Sequence, residues 1–308
     1  MIYNNILEAN GNTPLLKLNK ITKGLDCGDI YVKYEAMNIG GSIKSRTALK
    51  MIEDAEDRGE LNKDSTIVEA TSGNQGIALA MVGAVKGYKV LIVMPDSVSE
   101  ERRKLITQYG ASIKLIHDNN DIGECIRKCQ ETVDELASND PNVFVPGQFS
   151  NFVNVKAQRQ TGEEIVKELG KVDAFCSGIG TGGTLTGIGS VLKENNPDCY
   201  IVAIEPDDAA ILSGGIICSH MQMGIGDGVI PTILDKELYD EIMIVTDEEA
   251  LAMSKRLAKE EGLICGISSG TNVAIALKLA KKLGKGKKIV TVLADTGERY
   301  YSTPLFED

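Results

Sequence analysis

The chain of 308 residues has no tryptophan, eight prolines and only two histidines, His117 and His220. Neither histidine lies beside a nucleophile motif, so a Ser-His-Asp or Cys-His site finds no support. A zinc centre is equally poorly served, because the seven cysteines are scattered and the closest pair, Cys125 and Cys129 in "ECIRKCQ", falls one helical turn apart with no other cluster around it. No metal is expected. An odd number of cysteines in apolar surroundings such as "AFCSG" (Cys176) and "LICGI" (Cys265) fits reduced thiols in a core.

Positive charge is also in short supply, with 33 Lys and Arg against 44 Asp and Glu for a formal net charge of -11. A field of that sign repels phosphate backbones and anionic lipid heads, so neither nucleic acid nor a membrane surface is an expected partner. No stretch approaches the roughly 20 apolar residues of a membrane span. The opening "MIYNNILEANGNTP" lacks a basic start and a sustained apolar run, which makes a cytoplasmic protein the expectation.

What is present is the balance of a globular protein, 43% hydrophobic and 25% charged residues. The length suits one large or two ordinary domains. Apolar runs of strand length alternate with amphipathic runs of helix length: "STIVEA" (65–70), "GIALAMVGAVKG", "KVLIVMP" (89–95), "SEERRKLITQYG", "ASIKLIH" (111–117), a helix over 122–138, then "NVFVP". After residue 150 a polar helix over 151–169 leads to "DAFCSGIG", a helix opening at "GTGGTLTG", and the strand "CYIVAIEP". Next comes a helix with Thr246 and Glu249 at capping-box spacing and a stop at Gly262, and then "SGTNVAIALKLAKKLG" and "KIVTVLADTG". Continuously apolar strands alternating with helices predict an α/β fold of two lobes, each a mostly parallel sheet covered by helices. Ligands in such sheets bind beyond the carboxyl ends of the strands.

Five loops carry candidate chemistry. "EATSGNQG" (69–76) brings Thr71, Ser72, Asn74 and Gln75 to a helix N-terminus, where an anion is welcome, though an ordinary capped turn reads the same way. "GIGTGGTLTG" (178–187) offers glycines for close backbone approach and the hydroxyls of Thr181 and Thr184, which suits a phosphate. No "GK[ST]" follows it, and although Gly178, Gly180 and Gly183 satisfy G-x-G-x-x-G, the acidic residue expected of a dinucleotide site falls at Asp198, before the next strand. The third loop is "GISSG" (266–270). In the fourth, "MGIGDGVIP" (223–231), Asp227 stands between glycines, a common setting for a solvated turn aspartate. The fifth, "NIGGSIKSR" (38–46), puts Lys44 just behind two glycines at the start of a helix. A surface lysine is the ordinary reading. A cation in a first turn, however, meets the positive end of the helix dipole at up to about 1 kcal/mol, and the neutral amine thereby favoured is what a Schiff-base lysine needs.

Together and in order, the five loops resemble the signature of the cysteine synthase family, pyridoxal-phosphate enzymes of fold type II built like the tryptophan synthase β chain. The likeness runs from "GNTPLLKLNKI" at Gly11 to "ADTGERYYST". It implies a smaller mobile lobe over 35–145 and a larger cofactor-binding lobe from 1–34 with 146–308, assembled as a homodimer. It implies that Lys44 binds pyridoxal 5′-phosphate covalently and then moves the substrate's α-proton. Asn74 would hydrogen-bond the pyridoxal 3′-oxygen, while Thr71, Ser72, Gly73 and Gln75, with Gln148 of "PGQFSN", would grip the carboxylate of a small amino-acid substrate. Gly180, Thr181, Gly182, Gly183 and Thr184 would hold the phosphate, and Ser268 would face the pyridine nitrogen. A neutral hydroxyl there makes the ring a milder electron sink, so loss of a group from the β-carbon, leaving an α-aminoacrylate, is the expected step.

The chain departs from the family's usual "TSGNTG" at Gln75, and from "NPGGSVKDR" at Ile39 and Ser45. It also has Asp227 where sulfide-using members usually carry alanine, "GIGAG". A carboxylate there repels bisulfide, by about 4 kcal/mol at 4 Å and an effective dielectric of 20. It also suits general-base activation of water or a thiol. The expected function is β-elimination and β-replacement on L-cysteine with hydrogen sulfide release, giving L-serine or lanthionine, in a catalytic role shared by Lys44 and Asp227. The alternative is O-acetylserine sulfhydrylase, making L-cysteine from O-acetylserine and sulfide.

Overall fold

A computed structural model describes residues 2–71, 73–118, 122–215 and 217–307. Its strands are β1 (Leu15–Lys17), β2 (Asp29–Tyr34), β3 (Thr66–Ala70), β4 (Lys89–Pro95), β5 (Ser112–Ile116), β6 (Val143–Phe144), β7 (Ala174–Gly178), β8 (Tyr200–Pro206), β9 (Glu241–Val245) and β10 (Lys288–Leu293). Its main helices are α1 (Lys44–Asp57), α2 (Asn74–Lys86), α3 (Glu100–Gln108), α4 (Ile122–Asn139), α5 (Val153–Leu169), α6 (Gly183–Asn195), α7 (Asp247–Arg256) and α8 (Ile267–Leu283). The chain falls into two compact units, one of Met1–Gly11 with Asn38–Asn154, the other of Asn12–Met37 with Val155–Asp308.

The first unit holds a four-stranded parallel sheet in the order β5-β4-β3-β6. Strand periodicity sorts its side chains between two cores. Ile67 of β3 and Val90, Ile92 and Met94 of β4 join Ile52 of α1, Ile77 and Ala80 of α2 and Ile106 of α3. The alternate residues Val68 and Val93 meet Cys129 and Val133 of α4 on a separate core. A sheet covered on both faces has no polar side, which is why these strands read as unbroken apolar runs.

The second unit holds a six-stranded sheet in the order β1-β2-β10-β7-β8-β9, parallel except for the antiparallel pair β1 and β2. Its core gathers Ile30, Cys176, Val202, Ile204 and Ile289 from the sheet with Leu257 and α8 residues such as Val273 and Ile275. α7 begins with the capping box expected at Thr246 and Glu249, and the segment ends at Gly262 in the left-handed region after a wider turn over Leu257–Glu261. The observed fold is the α/β, largely parallel arrangement that the alternation predicts. β1, β2 and β9 extend that reading.

All seven cysteines are unpaired; five are buried, Cys27 is half-buried and Cys218 is exposed. Burial pushes the thiols of Cys129, Cys176, Cys199 and Cys265 up to about 12. Among the described residues, no helix is long and apolar enough to cross a membrane.

Candidate active site

In the first unit Lys44 is the first residue of α1 and is half-buried. The preceding turn is tied down by Asn38, whose Oδ1 accepts the backbone N–H groups of Ile39 at 3.1 Å and Gly11 at 3.0 Å. Ser45 closes it by donating its hydroxyl to the Ile39 carbonyl. α1 has no side-chain cap, because Ile43 stands at the capping position.

Thr71 follows β3, its N–H donating to the Val93 carbonyl at 3.1 Å and its Oγ1 accepting from the Gly73 N–H at 3.3 Å. Gly73 then starts α2 without a side-chain cap, and a Cβ there would sit 2.6 Å from Arg102 Cδ. Asn74 opens the helix half-buried, while Gln75 is buried with its Nε2 3.7 Å from Met51 Sδ of α1. Ser72 lies outside the described residues. Gln148 is buried, and its backbone is held on both sides: its N–H donates to Glu69 Oε1 at 3.1 Å and its carbonyl accepts Asn154 Nδ2 at 2.9 Å. Asn154 also accepts the hydroxyl of Thr47, one turn along α1 from Lys44, at 3.3 Å. Lys44, Thr71, Gly73, Asn74, Gln75 and Gln148 are thus borne by elements that hydrogen bonds stitch together within one unit.

The second unit gathers the rest. β7 ends at Gly178, whose N–H donates to Asn272 Oδ1 at 2.8 Å, and α6 begins at Gly183. Gly182, with φ +79°, packs so that a Cβ would lie 2.8 Å from Leu234 Cβ. At Gly180 a Cβ would lie 2.4 Å from the Gly224 carbonyl oxygen and 3.1 Å from Asp227 Oδ2. Only glycine tolerates that approach. The loop bearing Asp227 therefore rests on the Gly180 backbone, an arrangement fixed by the Gly226 N–H donating to the Ile179 carbonyl at 2.8 Å. His220 braces the same loop. Its Nδ1 accepts the Gln222 N–H at 3.1 Å, which puts the ring proton on Nε2, 3.1 Å from the Gly226 carbonyl.

Thr181 is buried and Thr184 half-buried, and Thr181 Oγ1 accepts the Gly183 N–H at 3.4 Å. Ser268 is buried in the first turn of α8, whose capping position, Gly266, has no side chain to offer. α8 ties the set together: Asn272 holds Gly178 and donates Nδ2 to the Val292 carbonyl at 2.8 Å, and Thr271 donates to Gln222 Oε1 at 2.7 Å, just ahead of the Asp227 loop.

These residues fit pyridoxal phosphate on their own chemistry. α6 begins at Gly183 behind a glycine-rich turn with no side-chain cap, so the N–H groups of its first turn are left for an anion such as a phosphate. In the first unit, Ser42 Oγ and Gln75 Oε1 are buried polar atoms without a hydrogen-bonding partner. Such atoms are costly unless a ligand or water completes them. The sequence reading gave no supporting role to Glu69, Asn154, His220 or Asn272. Of these only Glu69 leaves a mark there, as a lone charge inside the apolar run "STIVEA".

A family model described as pyridoxal-phosphate dependent enzyme matches residues 6–295. Cysteine synthase of Staphylococcus aureus is 47% identical over 305 residues, which is 98% of this chain and 96% of that protein. A crystal structure of a hydrogen sulfide-producing enzyme from Fusobacterium nucleatum superposes with a TM-score of 0.91 at 43% identity, covering 97% of this chain and 100% of that one. Cysteine synthase from Entamoeba histolytica superposes at 0.95 with 37% identity, over 100% of this chain and 92% of its own.

Proposed function

The chain belongs to the pyridoxal-phosphate dependent enzyme family as a homologue of the cysteine synthases, and from that premise we propose that it acts on L-cysteine in the sulfide-releasing direction. L-cysteine and water give L-serine and hydrogen sulfide; two molecules of L-cysteine give lanthionine and hydrogen sulfide. When bound, the cofactor supplies the electron sink that lets the α-C–H bond and the β-substituent be lost.

In this reading Lys44 Nζ anchors the cofactor and carries the α-proton. Gly180, Thr181, Gly182, Gly183 and Thr184 hold its phosphate, Asn74 its 3′-oxygen and Ser268 its ring nitrogen. Thr71, Ser72, Gly73, Gln75 and Gln148 orient the substrate by its carboxylate. Asp227 takes the proton from the incoming water or thiol.

The observation that carries the direction of the reaction is the carboxylate of Asp227 packed against Gly180 of the phosphate loop. A negative charge at that loop disfavours bisulfide as nucleophile and favours a neutral one that must lose a proton. The likeness to a hydrogen sulfide-producing enzyme supports the same reading. The 47% identity to a cysteine synthase favours the second reading, synthesis of L-cysteine from O-acetylserine and sulfide.

Purified protein given L-cysteine alone is expected to yield sulfide together with L-serine or lanthionine. Absence of both, with rapid L-cysteine formation from O-acetylserine and sulfide, would establish the second reading. Asp227→Asn is expected to keep a first-turnover release of sulfide while slowing product formation by about 10²-fold or more. Unchanged turnover would remove Asp227 from the chemistry.

A further inference from the structure

Glu69 lies in β3, flanked by β4 and β6, at 3% exposure. β6 pairs with β3 only at Thr66↔Val143 and Ile67↔Phe144. Beyond Phe144 the ladder stops, and the N–H groups of the departing chain need other acceptors. Glu69 provides two of them, Oε2 for Gly147 at 2.9 Å and Oε1 for Gln148 at 3.1 Å. The Asn154 side chain holds the Gln148 carbonyl from the other side, so the backbone of Gln148 is fixed at both its polar groups.

A glutamine there would bring no charge into the core, yet its amide can accept from only one N–H while its NH₂ opposes the other. A carboxylate matches both donors. Among the described residues no cation pairs with it, and an unpaired buried carboxylate is costly to the fold. Its return must come from where it places the loop.

We propose that Glu69 is a positioning residue that presents Gln148 to the carboxylate of the amino-acid substrate. This rests on the reading of Gln148 as a carboxylate-binding residue, and it holds for L-cysteine and O-acetylserine alike because both carry that group.

The test compares Glu69→Gln, Gln148→Ala and the double variant in the holoenzyme, with two readouts. The first is KM and kcat for whichever of the two amino acids is turned over. Glu69→Gln is expected to raise KM about tenfold or more with kcat changed far less, and to add nothing in the Gln148→Ala background. The second readout is hydrogen exchange at the Gly147 and Gln148 amides, which is expected to accelerate in Glu69→Gln. Additive effects on KM, or unchanged exchange, overturn the role of Glu69 while leaving Gln148 as a binding residue. An unchanged KM in Gln148→Ala overturns both readings together. Should Glu69→Gln fail to fold, Glu69→Asp keeps the charge but draws its oxygens back by one methylene, and the same non-additive rise in KM is expected of it.

Discussion

At the scale of single residues, Gly180 is closely confined by backbone. An alanine there would press its Cβ on the Gly224 carbonyl oxygen at 2.4 Å, a backbone atom that cannot rotate away, and on Asp227 Oδ2 at 3.1 Å. Gly180→Ala is expected to cost about 1 to 3 kcal/mol through overpacking and to release the cofactor on dialysis. A thermal scan and the cofactor absorbance check the two effects separately, and wild-type retention would contradict so tight a loop. Glu69 makes the opposite demand on the fold. Burial pushes its carboxyl up to about 7 against the pull of two backbone N–H groups. Because the folded value lies above the unfolded one, the stability it contributes is fully present below about 4.5 and is lost as pH rises through about 7. The stability of the wild type relative to Glu69→Gln is thus expected to fall, by on the order of 3 kcal/mol, between pH 4.5 and 8 in urea titrations. A rise would refute the burial account. The helix start at Lys44 was legible because two glycines precede it, whereas the role of its amine came only with the family resemblance. Gln148 was visible only through the family resemblance, since nothing in "PGQFSN" separates a binding amide from a loop amide.

At the scale of elements, α8 does more than contribute Ser268. One turn further on, Asn272 satisfies the Gly178 N–H and the Val292 carbonyl at once, joining the end of β7 to β10. Asn272→Ala would take the side-chain partner from one half-buried and one buried backbone group, at about 2 to 4 kcal/mol. Chemical denaturation of the variant checks this, and a loss below 1 kcal/mol would mean that water replaces the amide. The helix itself was readable from its apolar period, and the start of α7 from its capping box. β2 was hidden for a physical reason. Lys33 interrupts its apolar pattern, and that charge is buried only because Glu164 Oε2 meets its ammonium at 2.7 Å and the Thr13 carbonyl at 2.6 Å. Partners so distant in sequence leave no local trace. β1 is three residues long, too short for a periodicity, and β9 is an edge strand whose side chains are mostly half-buried.

At the scale of the whole molecule, the two parallel-rich sheets were legible because strands covered on both faces leave continuous apolar runs. The assignment of Met1–Gly11 to the unit of Asn38–Asn154 rests on packing that no composition shift announces. The net charge of -11 has a kinetic consequence. An anionic nucleophile approaches against the field, whereas a zwitterionic amino acid does not. Raising ionic strength from 0.01 to 0.15 M shortens the screening length from about 30 to about 8 Å. The rate constant for bisulfide in the cysteine-forming direction is therefore expected to rise with salt in stopped-flow measurements, while that for L-cysteine stays level. A salt-independent bisulfide rate would show that the local field at the site is not that of the whole surface. The cysteines complete this picture. On the proposed reaction the catalyst meets reduced sulfur and risks self-poisoning, because polysulfides, the oxidised form of sulfide, pass a sulfane sulfur to thiolates to give persulfides and leave as the shorter polysulfide or hydrosulfide. Five of its thiols are sealed in the interior, four of them held protonated far above neutral pH, so only Cys218 stands fully open to that traffic.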